Sequence, residues 1–467
     1  LAPTEQSGLF FAFKKKKPGN FRVHVYLRRG PVWLGIFSKE MEITTFRAFR
    51  NRNYRLYFSG QSVSLIGTWM QRTAVYWLVY VQTHSSFMLG LVVFASQFPS
   101  FVFSPFGGVL SDRYNRYQVL LITQIASMVQ AALLVVAVFT SYAVWEIFVL
   151  SALLGVINAF DVPARQSLIY EMIEDKTDLP NAIALNSSMV NLAKLIGPAL
   201  SGIVLEVAGA GVCFLLNALS FLAVILSLLL MRLPAFVPRA RTNNAVFEFR
   251  EGWRYLLRTP SIGLVILLLA FVSLLVLPFS ALLPVYAKVI FAGTASTFGF
   301  LNSFIGLGAM GGAIFLASLK SGVNLKAILL GNLIIFGAGL MLFSHSTFLP
   351  VSLLLAALIG FGMMAQTTVS NTLIQTNVSE AMRGRVISYF AMAFFGLQPV
   401  GGLLIGILSE QVGAPNTILI EGIAAVCIAL LFLPFIRVGR AKVSSTTIAA
   451  PVEPAPAVPD QSDNPNY

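Results

Sequence analysis

The chain has 467 residues, of which 57% are hydrophobic and 11% charged, a balance that excludes a large water-soluble core and points to a polytopic membrane protein. Its net charge of +13 is spread over short loops between apolar runs and is not gathered on one soluble face, so nucleic acid is not an expected partner. Cys213 and Cys427 both lie inside apolar runs, which leaves neither a disulfide framework nor a four-ligand zinc site, and no metal or cofactor is expected.

Residues 1–40 differ from the rest. They hold Lys14 to Lys17, Arg28 and Arg29 and no apolar run of spanning length. The stretch from Leu9 to Phe13 is too short for a signal-peptide core and precedes the charges. Met41 reads as the natural start, which makes residues 1–40 a non-native or disordered extension; the other reading is a disordered basic arm near anionic lipid.

From Met41 onward twelve apolar runs follow, at residues 57–80, 87–110, 119–139, 144–163, 182–207, 212–231, 262–283, 298–319, 327–343, 349–369, 386–407 and 417–436. Each is long enough to cross a hydrocarbon core of ~30 Å as a helix. With the N-terminus taken as cytoplasmic, twenty-one Lys and Arg residues between Arg47 and Lys442 lie in the inside segments, and the outside loops hold only Lys288. That asymmetry predicts twelve spans with both termini cytoplasmic.

The longest inside connection, residues 232–260, separates a six-helix half at 41–231 from a second at 261–437. Within it Phe249, Trp253 and Leu256 recur at helical spacing while Arg250, Arg254 and Arg258 fall on another stripe, the pattern of an amphipathic helix on the inner surface. The tail, residues 438–467, is rich in Pro, Ala and Ser and reads as disordered. The halves resemble each other: Ser167-Leu168-Ile169 matches Thr372-Leu373-Ile374, and Ser187 precedes Pro198 as Ser388 precedes Pro399, with Gly202 and Gly402 following. Paired halves are the architecture of alternating-access transporters, with the substrate near the midplane between them.

Ionisable side chains inside a bilayer are costly and therefore functional candidates. Arg72 lies near the middle of the first span, on a stripe with Gln61, Ser64, Thr68 and Tyr76; Lys194 lies near the middle of the fifth, on a face with Ser187, Asn191 and Ser201. Arg72 and Lys194, with Gln71, Thr68 and Asn191 beside them, are the expected substrate and coupling residues. Either cation also admits a purely structural reading, paired with a neighbouring helix. No carboxylate sits at the midplane, so Lys194 is the candidate proton carrier, because a desolvated lysine can release its proton near neutral pH. Asn302, Asn332, Gln366, Thr367 and Gln398 of the second half read as interhelical hydrogen-bonding groups. An intramembrane enzyme would need a catalytic constellation, and no span contains histidine; a nucleotide-driven pump would need a phosphate-binding loop that is absent.

Several motifs resemble those of the major facilitator superfamily. Gly108-x-x-x-Asp112-Arg113-x-x-Arg116 after the second span looks like its signature loop. Gly67-Thr68-Trp69-Met70-Gln71-Arg72, Asp161-Val162-Pro163-Ala164-Arg165, Glu251-Gly252-Trp253-Arg254-Tyr255 and Arg383-Gly384-Arg385-Val386 are similar to the branch containing the enterobactin exporter and macrolide efflux pumps, over Phe46 to Arg437. The resemblance implies an all-α membrane fold of twelve helices in two six-helix halves. It implies a monomeric, proton-coupled secondary transporter in the cytoplasmic (inner) membrane that exports an amphipathic siderophore or drug-like small molecule; uptake or lipid flipping by the same fold is the alternative.

It also implies an antiporter-like motif in the fifth span, matched by Gly197, Pro198 and Gly202. A latch is implied as well: Gly108 lets the second helix approach closely, Asp112 faces Arg383 or Arg385, and Arg113 or Arg116 faces Asp161 beside Arg165. Two positions depart from the family pattern. Asn115 stands where Gly is usual, although Asn tolerates the left-handed conformation, and Tyr117 stands where a further basic residue is usual. The matching place in the second half has Leu316 in place of Asp112, so the latch is one-sided.

Overall fold

The computed structural model describes the backbone of residues 9–17, 20–29, 32–42, 46–140, 143–173, 175–232, 245–319 and 322–437, and side chains from residue 46 onward except 109, 111–113, 245–249, 380–381, 435 and 437. The first helix, α1 (Arg52–Thr83), begins at Asn51, whose side chain accepts from the backbone N–H of Asn53 at 3.0 Å and Tyr54 at 3.3 Å, as an N-cap should. It stops at His84, which takes a left-handed φ of 52°.

α2 (Ser86–Arg113), α3 (Arg116–Phe139) and α4 (Val144–Met172) follow. Between α2 and α3 the structure corrects the reading of Asn115. Its φ is −62°, not left-handed, and its side chain accepts from the Tyr117 N–H at 3.0 Å. Asn115 is present as an N-cap and does no work as a glycine substitute.

The next apolar stretch, Lys176–Leu229, runs 54 residues without a loop. A continuous helix of that size would be about 80 Å long at ~1.5 Å per residue, far beyond a hydrocarbon core of ~30 Å. The chain solves this at Gly209, whose φ of 81° and ψ of 174° break the helix; that backbone region is open essentially to glycine alone. The two sides are α5 (residues 179–208) and α6 (residues 210–229).

α7 (Ala245–Arg258) is the amphipathic helix, with Arg250, Arg254 and Arg258 exposed and Leu256 buried. The second half holds α8 (Pro260–Ile290), α9 (Ala295–Ala317), α10 (Leu325–Ser344), α11 (Leu349–Asn377), α12 (Met382–Val412) and α13 (Ala414–Leu431). Ten described stretches are long and apolar enough to cross a membrane. One of them is the double helix broken at Gly209, and α1 falls outside the ten because it carries Gln61, Gln71 and Arg72. The sum is consistent with twelve spans.

Contacts between distant helices hold each half together. In the first half Tyr54 Oη donates to the Ala182 carbonyl at 2.8 Å and Tyr57 Oη to Asn186 Oδ1 at 3.1 Å, tying α1 to α5. Asn53 exchanges two hydrogen bonds with the Arg232 backbone, at 2.8 and 3.1 Å, which ties the start of α1 to the end of α6. In the second half Phe279, Phe298, Phe336 and Phe343 are fully buried in one continuous apolar cluster.

Ahead of the helices lie three strands, β1 (Leu9–Lys17), β2 (Asn20–Arg29) and β3 (Val32–Glu42), paired antiparallel in that order. The sequence reading expected no regular structure there. Its alternation of Phe21, Val23 and Val25 with Arg22 and His24 has the period of a strand.

Candidate functional site

The two cations singled out in the sequence meet on one aromatic ring. In α1 the Arg72 guanidinium carbon lies 5.2 Å from the centroid of Trp69 and 5.7 Å from that of Tyr76. Its Nε donates to Tyr76 Oη at 3.0 Å. From α5 the Lys194 ammonium nitrogen lies 5.5 Å from the same Trp69 centroid. All three distances are within cation–π range. Lys194 is exposed and Arg72 half-buried, so neither charge is sealed in the core.

The approach of α5 to α1 follows from Gly197 and Ser201. A Cβ at Gly197 would stand 2.6 Å from Trp69 Cβ and 3.0 Å from the Ile66 carbonyl oxygen, so any side chain there would push the helices apart. Ser201 Oγ donates to the Met70 carbonyl at 2.9 Å. Pro198 has no N–H to donate to the Lys194 carbonyl one turn back, which leaves that carbonyl without its helical donor beside the ammonium group. Thr68 and Asn191 are half-buried on the faces that carry Arg72 and Lys194, and Thr68 Oγ1 donates to the Ser64 carbonyl at 2.9 Å.

Gln71 does not join this group. It is 2% exposed; its Nε2 donates to Gln130 Oε1 at 3.0 Å and its Oε1 accepts from Asn217 Nδ2 at 2.7 Å. A residue next to Arg72 in sequence points about 100° away around the helix, and here that direction is the interior of the first half. Gln71 belongs to a buried amide chain joining α1, α3 and α6. Trp69 is the residue that sequence reasoning passed over. Its signal is the i,i+3 spacing to Arg72, which puts the two on neighbouring positions of one face.

At the basic end, where the chain's Arg and Lys residues gather, the structure redraws the expected pairs. Asp161 is buried and pairs with Arg165 on its own helix, while also accepting from Gln124 Nε2 at 2.6 Å and Thr123 Oγ1 at 3.1 Å. Arg116 pairs with Glu171, not with Asp161. Arg385 pairs with Glu251 of α7 at 2.8 Å. Asp112 and Arg113, the other latch residues, have side chains outside the described residues, and Arg383 has its Nε buried without a hydrogen-bond partner. Among the described ion pairs three lie within the first half and the fourth joins α12 to α7 of the central connection. Beside Asp161 a cavity of 30 Å³ is lined by Gln61, Ser64, Gln124, Asn158 and Arg165. Gln61 Oε1, Gln124 Oε1 and Arg165 Nε are buried without partners, and that volume fits one water.

The halves touch along α2 with α12 and along α5 with α9, and the contacts gather at the end opposite the basic one. There Ser409 Oγ donates to Ser86 Oγ at 3.0 Å, and a Cβ on Gly406 would stand 2.8 Å from the Ser86 carbonyl oxygen. Nearer the middle Ser303 Oγ donates to the Leu195 carbonyl at 2.8 Å. At the basic end a Cβ on Gly108 or on Gly384 would meet no described atom within 4 Å. Gly107 makes a close approach within its own half, against the Ala159 carbonyl of α4. On the α5 side the described contacts between the halves thus begin at Leu195, beside Lys194, and run toward the end opposite the basic one.

A bundle of two helical halves built from membrane-length apolar helices is the architecture of a membrane transporter. The chain matches the family model described as transmembrane secretion effector over residues 43–461, and it belongs to that family of the major facilitator superfamily. Among curated relatives, the staphyloferrin A transporter of Staphylococcus aureus is 26% identical over 81% of this chain and 95% of its own. The enterobactin exporter of Salmonella typhi is 27% identical over 81% and 91%, and macrolide efflux protein A of Streptococcus pyogenes 23% over 81% and 96%. Among solved structures, a bacterial homolog of the human lysosomal transporter Spinster matches with a TM-score of 0.65 at 13% identity, over 82% of this chain and 97% of that one. A POT family transporter matches with a TM-score of 0.66 at 14% identity, over 83% and 96%. These two likenesses establish the fold.

Proposed function

We propose that this transporter is a proton-driven exporter that moves an amphipathic siderophore or drug-like molecule outward across the cytoplasmic membrane. The observation that carries the reading is the convergence of Arg72 and Lys194 on Trp69, where α1 meets α5. Two cations on one indole favour a substrate with anionic or strongly polar groups beside a flat apolar body. The relatives that bear siderophore-transport, siderophore-export and macrolide-efflux names support the substrate class and the outward direction.

In this reading the basic end faces the cytoplasm, following the positive-inside rule, and substrate enters from that side. Lys194 is the group assigned to proton exchange. The latch of Asp112, Arg113 and Arg116 with Asp161, Arg165, Arg383 and Arg385 forms when the basic ends come together, and the protein works as a monomer.

The test is transport by purified protein in oriented proteoliposomes under an imposed pH gradient, with siderophores, macrolides and lipids as candidate cargo and Arg72→Ala as control. Gradient-dependent movement of a siderophore or macrolide toward the non-basic face, lost in Arg72→Ala, is the expected result. Movement of lipid alone, or no response to the gradient, removes the reading. Normal pH-driven transport by Lys194→Met would take the proton role away from Lys194 only.

A further inference from the structure

The closed end is held by two contacts that are copies of one another. On one side, Gly202-x-x-x-Glu206 of α5 lies against Thr294-x-x-x-x-Gly299 at the start of α9. On the other, Gly406-x-x-x-Glu410 of α12 lies against Ser85-x-x-x-x-Gly90 at the start of α2. In both, the glycine and glutamate are four residues apart, one helical turn, and the helix-capping hydroxyl residue stands five before its own glycine.

The atomic register agrees as well. A Cβ on Gly202 would stand 2.8 Å from the Ala295 carbonyl oxygen, 2.8 Å from Ser296 Cα and 3.2 Å from Gly299 Cα. A Cβ on Gly406 would stand 2.8 Å from the Ser86 carbonyl oxygen, 3.2 Å from Phe87 Cα and 3.2 Å from Gly90 Cα. These are the first, second and fifth residues after the cap in each case. In the reverse direction Gly299 meets the carbonyl of Pro198, and Gly90 that of Gly402, each four residues before the partner glycine. One residue of slip in either contact would break the correspondence.

Each contact ends in a carboxylate that reaches across to the other half. Glu206 Oε2 accepts from Thr294 Oγ1 at 2.9 Å. Glu410 Oε1 accepts from Ser85 Oγ at 2.5 Å and from the Phe87 N–H at 3.0 Å. Thr294 and Ser85 are the N-cap residues of α9 and α2, so each glutamate puts negative charge at the positive end of a helix of the opposite half. The glycines let the backbones come close enough for the short Glu side chain to reach that end.

We propose that Glu206 and Glu410 are gate-positioning residues: paired Gly-x-x-x-Glu clamps hold the face opposite the basic end shut, and both must release for the halves to rock open there. The pair is related by the same pseudo-twofold repeat as the halves, so the load is divided between two sites on opposite sides of the pathway. The proposal rests on the two-half transporter architecture and not on substrate, direction or proton coupling.

The test uses the full chain in lipid with Cys427→Ser, and spin labels at Gln82→Cys and Asn416→Cys, exposed positions at that face on different halves. The ratio of open to closed distances is measured without substrate. Methionine keeps the length of glutamate and removes the acceptor. Glu206→Met and Glu410→Met are each expected to raise the open-to-closed ratio about fivefold, the scale of losing one helix cap. The double variant is expected to raise it about 25-fold, because distant contacts add.

Gly202→Ala and Gly406→Ala attack the other component and are expected to move the ratio the same way, which keeps the test available where a Met variant does not express. A ratio within twofold of the parent in the double Met variant overturns the proposal. So does an equal shift from Glu146→Met, a change in the first turn of α4 at the same face. Because no transport is read, failure here leaves the proposed export activity standing, and failure of export leaves the clamps standing.

Discussion

The Lys194 ammonium nitrogen lies 5.5 Å from the centroid of the Trp69 ring, a contact between α5 and α1 that makes the indole the shared floor of two cations. Replacing Trp69 should therefore disturb both charges at once. A cation–π contact is worth ~0.5–2 kcal/mol. Trp69→Ala is expected to weaken binding of the cargo about tenfold, and Trp69→Phe, which keeps a π face, about threefold. Equilibrium binding to purified protein checks this; equal affinity in Trp69→Ala would detach the ring from the site.

Gln71 is expected to matter for stability and not for cargo. Gln71→Leu removes both amide bonds to Gln130 and Asn217 and leaves those partners unsatisfied. Buried interhelical hydrogen bonds in membranes contribute ~0.6–1.7 kcal/mol each, so a loss of about 2 kcal/mol should appear as a lower melting temperature in detergent. A changed KM with an unchanged melting temperature would put Gln71 back at the substrate.

The Asp161–Arg165 pair should be intolerant of single changes and tolerant of joint removal. Asp161→Asn leaves a largely enclosed arginine without its counter-charge, a change that costs up to ~3–5 kcal/mol in fully buried pairs. Arg165→Met leaves the converse. Expression of folded protein should fall sharply in each single variant and recover in the double variant Asp161→Leu with Arg165→Met. A double variant no better than either single one would show that the pair is not the reason.

Gly209 and Gly108 should respond oppositely to added bulk. Gly209→Ala forces a side chain into a backbone conformation that costs ~1–3 kcal/mol outside glycine, so folding suffers. Gly108→Ala adds a Cβ that meets no described atom within 4 Å, so stability should hold within ~0.5 kcal/mol, read as an unchanged melting temperature. Transport should slow all the same, because in the proposed cycle the basic ends close on that position. Full transport by Gly108→Ala would remove the close approach from the cycle.

Much of the architecture was legible from hydropathy and charge alone. Run length, the six-plus-six division and the break between the fifth and sixth runs follow from local composition, and Gly209 sits where the apolar stretch had to turn. Arg72 and Lys194 stood out because a charge in an apolar run is costly wherever the run ends up. The pairs at the basic end were not legible: Arg116 chose Glu171 over Asp161, and Arg385 chose Glu251. Several carboxylates lie within sequence reach of each cation, and only the rotation of each helix about its axis decides among them. Gln71 illustrates the same limit, since one residue of offset turned it from the cavity to the core.

By itself the sequence determined the membrane class, the number of apolar runs, the charge asymmetry along the chain and the two cations inside the first and fifth runs, since each is a property of composition along the chain. Tertiary structure alone decided that those cations meet at Trp69, that Asn115 is an N-cap, and that Gly202 and Gly406 place Glu206 and Glu410 on the capping residues of the opposite half. Those relations depend on the register between helices far apart in the chain, set by close packing of glycine faces to within an ångström, and no local pattern encodes that distance.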